Sequence, residues 1–357
     1  MSKNQLMSLH VQNFRSLADV KINTNNLTVL FGPNGAGKST FLEAIRLARD
    51  CAIFGVKKAL SQRNVGVGAR WDGVDEPAAI SIGLETENAR YEIQFGSAQI
   101  APSFEEKLYS KEQDTLKLKR ILSLRRDSIR KMLCSVRYYH ARTAKFSQLR
   151  ERGSEIHHGT QLNDNCDNLW SVLRELHEKR AVDKRYDTIL ELMQETFPLF
   201  REMVFEQTMS NRVYAHFIEK GRRKPISAFG IADSYLQMLV QLTALFSEPD
   251  NTLILLDEPE ISLHPWALSV LADAVETATQ KWQKQVLMAT QSPVLISQFQ
   301  PESIFTAEID EIGQTVMTQV SEIEDKDLLE DYEIGLLYLS EMIAPQSKRL
   351  EILAVQP

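Results

Sequence analysis

Cysteine is scarce in this 357-residue chain: Cys51, Cys134 and Cys166 are the three, and no CxxC pair occurs. That excludes a disulfide framework and a cysteine zinc site, and it fits a reducing compartment. Long apolar runs are also lacking, so no stretch reads as a membrane span. The opening residues, MSKNQLMSLHVQNFRSL, place polar groups where a secretory leader needs an apolar core. The expected location is therefore cytoplasmic, away from membranes. Repeats and low-complexity tracts are missing too. What remains is 43% apolar and 25% charged, an ordinary globular composition with material for about two domains.

Charge is distributed unevenly. The net charge is −7, yet residues 107–152 hold 14 Lys/Arg against 4 Asp/Glu. From Pro301 onward there are 13 acidic and 3 basic residues. A basic segment in an acidic protein suits a lobe that meets a polyanion, although the charge run taken alone fits a solvated helix slightly better. Arg125, Arg126, Arg130 and Lys131 form a basic stripe at helical spacing and are the candidate DNA contacts. Arg222, Arg223 and Lys224 at a turn would extend that surface. Tyr138 and Tyr139 read as buried strand aromatics, and Trp170, Trp266 and Trp282 as packing residues.

Strands open the chain: MSLHVQNF alternates, VKINTN follows, and LTVLFG is a compact apolar run. From Lys38 the period becomes helical. AAISIGLE and RYEIQF read as a hairpin of a second, antiparallel sheet. Residues 104–133 have apolar groups at roughly helical spacing, predicting a helical lobe. VRYYH returns as a strand, two helices fill 166–197, and MVFEQT pairs with RVYAHFIEK. A helix over 233–247, the strand TLILLDEP, a helix over 265–280 and the strand QVLMATQ complete an α/β core.

Gly32-Pro33-Asn34-Gly35-Ala36-Gly37-Lys38-Ser39 matches G-x-x-x-x-G-K-[ST] between a strand and a helix. Glycines let backbone N–H groups close around phosphates, and the helix N-terminus adds partial positive charge. Lys38 is placed to reach the β- and γ-phosphates and Ser39 to ligate magnesium; Thr40 is expected at the α-phosphate. This pattern predicts binding of a nucleoside triphosphate, with ATP and Mg²⁺ as the cofactors.

Leu253-Ile254-Leu255-Leu256-Asp257-Glu258 is an apolar strand ending in two carboxylates. In a P-loop fold Asp257 holds the magnesium and Glu258 orients or deprotonates the attacking water. Asp257 lies 219 positions after Lys38, so a lobe is expected between the two halves of one site. The pair His157-His158 beside Glu155 reads as a surface loop rather than a metal centre.

At these residues the chain resembles the RecF/SMC-like branch of ABC-type ATPases, within it the compact AAA ATPases related to the OLD (overcoming-lysogenisation-defect) proteins. The similarity runs almost end to end, through Asn13-Phe14-Arg15-Ser16, FGPNGAGKST, VRYYH, LLDEPEISLHP, ATQSPVLISQF and LLEDYEIGLLYL. It implies a P-loop α/β fold of ABC/RecF/SMC type with an antiparallel β subdomain and an inserted helical basic lobe. The corresponding divisions are 1–103 and 166–357 for the two halves of the ATPase core, with 104–165 as the lobe.

Roles follow from the resemblance by position. Arg15 and Ser16 correspond to a nucleotide-contacting element after the first strand. Ser262, Leu263 and His264 resemble the D-loop, Gln291 stands at the switch position that senses the γ-phosphate, and His140 stands near the Q-loop. Relatives carry L-S-D-G before a helix that contacts the partner subunit's γ-phosphate. Here Ala232-Asp233-Ser234 takes that place: Ala232 lacks a hydroxyl, Ser234 replaces a glycine, and Asp233 is expected to cap the helix. Sixty-six residues follow Gln291, too few for the nuclease domain of longer relatives.

The resemblance implies a homodimer or higher oligomer that sandwiches ATP, catalysis by Lys38, Glu258 and Gln291, and a separate effector protein. The biological setting it suggests is DNA repair, DNA maintenance or anti-phage defence. An ATP-gated scaffold or antitoxin-like regulator with little hydrolysis is the alternative.

Overall fold

The computed structural model describes residues 5–62, 71, 79–96, 104–112, 115–119, 128–323 and 332–345. The chain divides into two compact units, Met1–Val136 with Leu287–Pro357, and Arg137–Val286.

In the first unit β1 (Leu6–Phe14) turns back into β2 (Leu17–Asn23). Asn13 and Arg15 take left-handed backbone at φ 58° and 53° to make that reversal. The chain then forms β3 (Leu27–Phe31), α1 (Lys38–Phe54) and α2 (Val56–Gln62). Next come β4 (Ile80–Thr86), β5 (Ala89–Phe95), β6 (Phe104–Glu112), β7 (Thr115–Lys119) and α3 (Ser128–Ser135). One antiparallel sheet runs in the order β2-β1-β4-β5-β6-β7. Alternation along β4 and β5 buries Ile82, Leu84, Tyr91 and Ile93, giving the face on which α1 and α3 pack.

The expected helical lobe is corrected here. Residues 104–112 and 115–119 are strands that extend the sheet, and helix begins only at Ser128. Leu108 explains the difference: it sits opposite Tyr91 in register and is fully buried. Pairing of Leu108 with an existing strand outweighs a loose helical spacing. Arg125 and Arg126 lie outside the described residues.

The second unit starts with β8 (Arg137–His140), α4 (Phe146–Arg152), β9 (Ser154–Glu155), α5 (Leu169–Glu178) and α6 (Arg185–Thr196). It continues with β10 (Phe200–Gln207), β11 (Arg212–Glu219), β12 (Ile226–Ser227), α7 (Asp233–Ser247), β13 (Leu253–Asp257) and α8 (Pro265–Lys281). Strand β11 pairs with β10, β12 and β9 in a small antiparallel sheet. Strand β13 is buried at all five positions, as a strand covered on both faces must be. It runs parallel to β8, with Asp257 opposite His140. Trp170 is fully buried and donates through Nε1 to Leu149 O at 3.0 Å. Trp266 departs from the packing expectation, being 58% exposed.

The chain leaves this unit within β14 (Gln285–Thr290) and forms the short helix α9 (Pro293–Ile296), β15 (Ile304–Ile309) and β16 (Thr315–Gln319). Strand β15 lies parallel to β3 and antiparallel to β16. Among the described residues no helix is long and apolar enough to cross a membrane.

Candidate functional site

In the first unit, buried β3 delivers the chain to the loop 32–37, and α1 begins at Lys38 with Gly37 as its N-cap. Gly37 has φ 90°, and a Cβ there would stand 2.2 Å from Thr315 Oγ1 and 3.0 Å from Ser16 Oγ. The loop thus packs against two hydroxyls that bond each other, Thr315 Oγ1 donating to Ser16 Oγ at 2.8 Å. Asn34 and Gly35 are exposed at the tip, Ala36 is buried, Ser39 is exposed on the first turn and Thr40 is half-buried. Lys38 is 6% exposed, and its Nζ donates to Gly32 O and Pro33 O, each at 2.8 Å. The ammonium is therefore drawn over its own loop, where the helix N-terminus already favours anions.

Arg15 pairs with Glu43 on α1 at 2.5 Å. Both line a polar cavity of about 370 Å³ with Phe14, Arg46, Leu47, Asp50 and Gln62. Gln291, half-buried, follows β14 directly, and Ser292 caps α9 by accepting from Leu295 N at 3.2 Å.

In the second unit Asp257 ends β13 and is 1% exposed. Tyr138, one strand away on β8, donates from Oη to Asp257 Oδ2 at 2.7 Å. Glu258 follows with φ 52°, a strained left-handed residue that turns its carboxylate off the strand line. His140 Nε2 and Arg142 Nη2 each stand 3.6 Å from Glu258 Oε2. Ser262 is likewise left-handed at φ 66°, and His264 caps α8 by accepting from Trp266 N at 3.3 Å. Ser39 and Asp257 are oxygen donors of the kind a hard divalent cation prefers. Among the described residues no group of three or more His, Cys, Asp and Glu gathers as a metal cluster.

The neighbouring tyrosine serves the opposite side of β8. Tyr139 Oη lies 3.2 Å from Glu248 Oε1, which also accepts from Leu162 N at 3.1 Å, while Arg137 Nε stands 3.4 Å from Oε2. Burial pushes the Glu248 carboxyl above its usual range, opposed by Arg137. Lys284 is fully buried and donates to the carbonyls of Glu248 and Pro249. Burial, with Arg185 adding to it, lowers the Lys284 ammonium to about 8.

The signature region differs from expectation at Asp233. The N-cap of α7 is Ala232, which offers no side-chain acceptor, and Asp233 is the first helical residue. Its carboxylate pairs instead with Arg150 Nη2 at 2.6 Å, because a cationic side chain from α4 outcompetes the backbone N–H groups behind it. Ser234 is half-buried in the same turn. Of the basic stripe, Arg130 is half-buried on α3 and Lys131 is exposed.

Sequence reasoning missed Tyr138, Glu248, Lys284 and Arg150. Alternation along VRYYH places the two tyrosines on opposite faces and was the available signal for Tyr138. No local pattern marks the other three.

The family described as "AAA domain, putative AbiEii toxin, Type IV TA system" matches residues 27–297. Among solved structures, an SMC head bound to the C-winged helix domain of ScpA is 13% identical with TM-score 0.57, covering 89% of this chain and 99% of that one. The Smc head domain of Pyrococcus furiosus, with an extended coiled coil and the C-terminal domain of ScpA, is 12% identical with TM-score 0.58, covering 91% and 98%. At such identity the likeness establishes the fold, that of the SMC-head P-loop ATPases. A search of curated proteins found no match.

Proposed function

The chain belongs to this AAA-domain family, and from that premise we propose that it binds and hydrolyses ATP between two copies of itself, head to tail. One family match spans both Lys38 and Glu258, which supports the two motifs acting on one triphosphate. In this reading Arg15, Ser16, Asn34, Gly35, Ala36, Gly37, Lys38, Ser39 and Thr40 bind the nucleotide. Water attacks the γ-phosphorus and the β–γ bridging oxygen departs with the electron pair. Glu258 orients that water and takes its proton, while Lys38 offsets charge on the phosphoryl oxygens and Gln291 senses the γ-phosphate. Magnesium, when bound, would be held by Ser39 and Asp257 and would supply further charge compensation to the phosphates. Ala232, Asp233, Ser234, Ser262 and His264 face the partner subunit.

The observation carrying this reading is the hydrogen bond from Tyr138 to Asp257, which holds a buried carboxylate in a fixed orientation immediately before a strained Glu258. That is an arrangement suited to a catalytic end of a strand. The output we propose is DNA-linked work in genome maintenance or anti-phage defence, through a separate effector, with Arg125, Arg126, Arg130 and Lys131 as the DNA contacts. ATP turnover abolished by Glu258→Gln tests the hydrolysis. Wild-type turnover equal to that of the variant would contradict it.

A second reading is favoured by Ala232, whose missing side-chain cap removes a donor from the partner-facing turn. The chain would then be an ATP-gated scaffold or antitoxin-like regulator. It predicts that Glu258→Gln traps a protein partner and Lys38→Ala releases it; identical partners for both variants would exclude this reading.

A further inference from the structure

Arg150 gathers the turn that precedes α7. Its Nη2 donates to Ile231 O at 2.7 Å and Nε donates to Ala228 O at 3.3 Å. The same Nη2 lies 2.6 Å from Asp233 Oδ1. Its side chain is 20% exposed, whereas that of Asp233 is 59% exposed. One guanidinium thus fixes two carbonyls and one carboxylate over the six residues from Ala228 to Asp233.

The electrostatic problem at this turn is plain from the sequence. An exposed carboxylate at the first residue of a helix is stabilised by the helix N-terminus, but it repels any phosphate approaching the same N–H groups. Ala232 cannot help, since it has no side-chain polar group. Arg150 answers both needs: it offsets the Asp233 charge, and it draws the Ala228 and Ile231 carbonyls toward itself.

The segment carrying Arg150 also reaches the candidate catalytic carboxylate. His140 and Arg142 stand beside Glu258, Thr143 Oγ1 donates to His140 O at 2.8 Å, and α4 follows within three residues. Residues 140–150 are therefore bound to Glu258 at one end and to the 228–233 turn at the other, all within the second unit.

We propose that Arg150 is a positioning residue that readies the 228–233 turn to receive the triphosphate held by a second copy of the chain, chiefly by neutralising Asp233. The proposal rests on the head-to-tail dimer of the preceding section. It assigns Arg150 no contact with its own subunit's nucleotide, so binding to the isolated subunit and dimer formation should separate.

The test uses the full chain with Glu258→Gln, so that bound ATP persists. Nucleotide affinity is read with a fluorescent ATP analogue and dimer formation by light scattering with ATP and Mg²⁺. Arg150→Ala should leave nucleotide affinity of the monomer within about twofold. It should raise the dimer dissociation constant at least about tenfold, because leaving a like charge against phosphate costs more than the energy of a factor of ten. Adding Asp233→Asn to Arg150→Ala should recover part of the dimer, a reversal that loss of packing alone would not produce. Arg150→Lys, which keeps the charge but not the fork, should fall between; it also serves if the alanine variant folds poorly. Equal dimerisation of parent and Arg150→Ala, or no recovery with Asp233→Asn, overturns the proposal. Failure of the Glu258→Gln parent itself to dimerise with ATP overturns the dimer reading, and this proposal with it.

Discussion

Tyr138 Oη donates a 2.7 Å hydrogen bond to Asp257 Oδ2, so the strand beside β13 fixes the rotamer of the carboxylate that ends it. Both residues are buried, and a hydrogen bond to a charged group in such a place contributes about 1.5–3 kcal/mol. Asp257 is held ready on one face of β8 while Tyr139 reaches Glu248 on the other. A four-residue strand thereby serves the candidate site and the buried ionic network together.

Tyr138→Phe keeps the ring and removes the hydroxyl. It should lower magnesium-dependent ATP turnover about tenfold, the usual effect of losing the residue that orients a ligand. The magnesium concentration for half-maximal turnover should rise, while ATP binding in EDTA stays unchanged. A magnesium titration identical to wild type would show that Tyr138 does not position Asp257 for the cation.

Gly37→Ala forces a left-handed L-residue, at about 1–2 kcal/mol, and adds a clash with Thr315 Oγ1 at 2.2 Å. Denaturant unfolding should register a loss larger than the backbone cost alone, and nucleotide binding should disappear. Gly35→Ala is the control: its φ of 81° carries the backbone cost, but nothing lies within 4 Å of the new Cβ. Equal losses in the two variants would remove the packing role given to Ser16 and Thr315.

Much of this site was legible in the sequence because it is built from local signals. LTVLF is a buried strand and GPNGAGKS joins it to α1, as the motif requires; TLILLDEP reduces to the fully buried LILLD of β13. Phe104–Lys119 misled because Leu108 chooses its period only when Tyr91 stands opposite, and strand pairing is a non-local fact. Asp233 likewise read as a cap until Arg150, 83 positions earlier in the sequence, supplied a stronger partner. Nothing in KWQKQ marks Lys284 for burial, and only the carbonyls of Glu248 and Pro249 explain it.

Lys284 gives a pH prediction with a definite sign. Its folded pKa is about 8 against an ordinary 10.5, so between these values the unfolded chain binds more protons and stability rises with pH. Relative to Lys284→Met, the wild type should gain stability from about pH 8 to pH 10. A difference that stays flat or falls across that window, measured by chemical denaturation, would contradict the burial argument.

Reversing Arg125, Arg126 and Arg130 to Glu tests the proposed DNA contact. Three lost phosphate contacts should reduce the dependence of log affinity on log salt by about 3, and duplex binding should weaken at every salt concentration. Unchanged affinity and slope would remove the basic stripe from the account.

The central claim is that Glu258 works on ATP held at the Lys38 loop. The most direct measurement is ATP turnover by the purified chain, with and without duplex DNA, using Glu258→Gln as the blank. The account predicts phosphate release that rises with DNA and is absent in the variant. Release at the level of the variant, both with and without DNA, would contradict it.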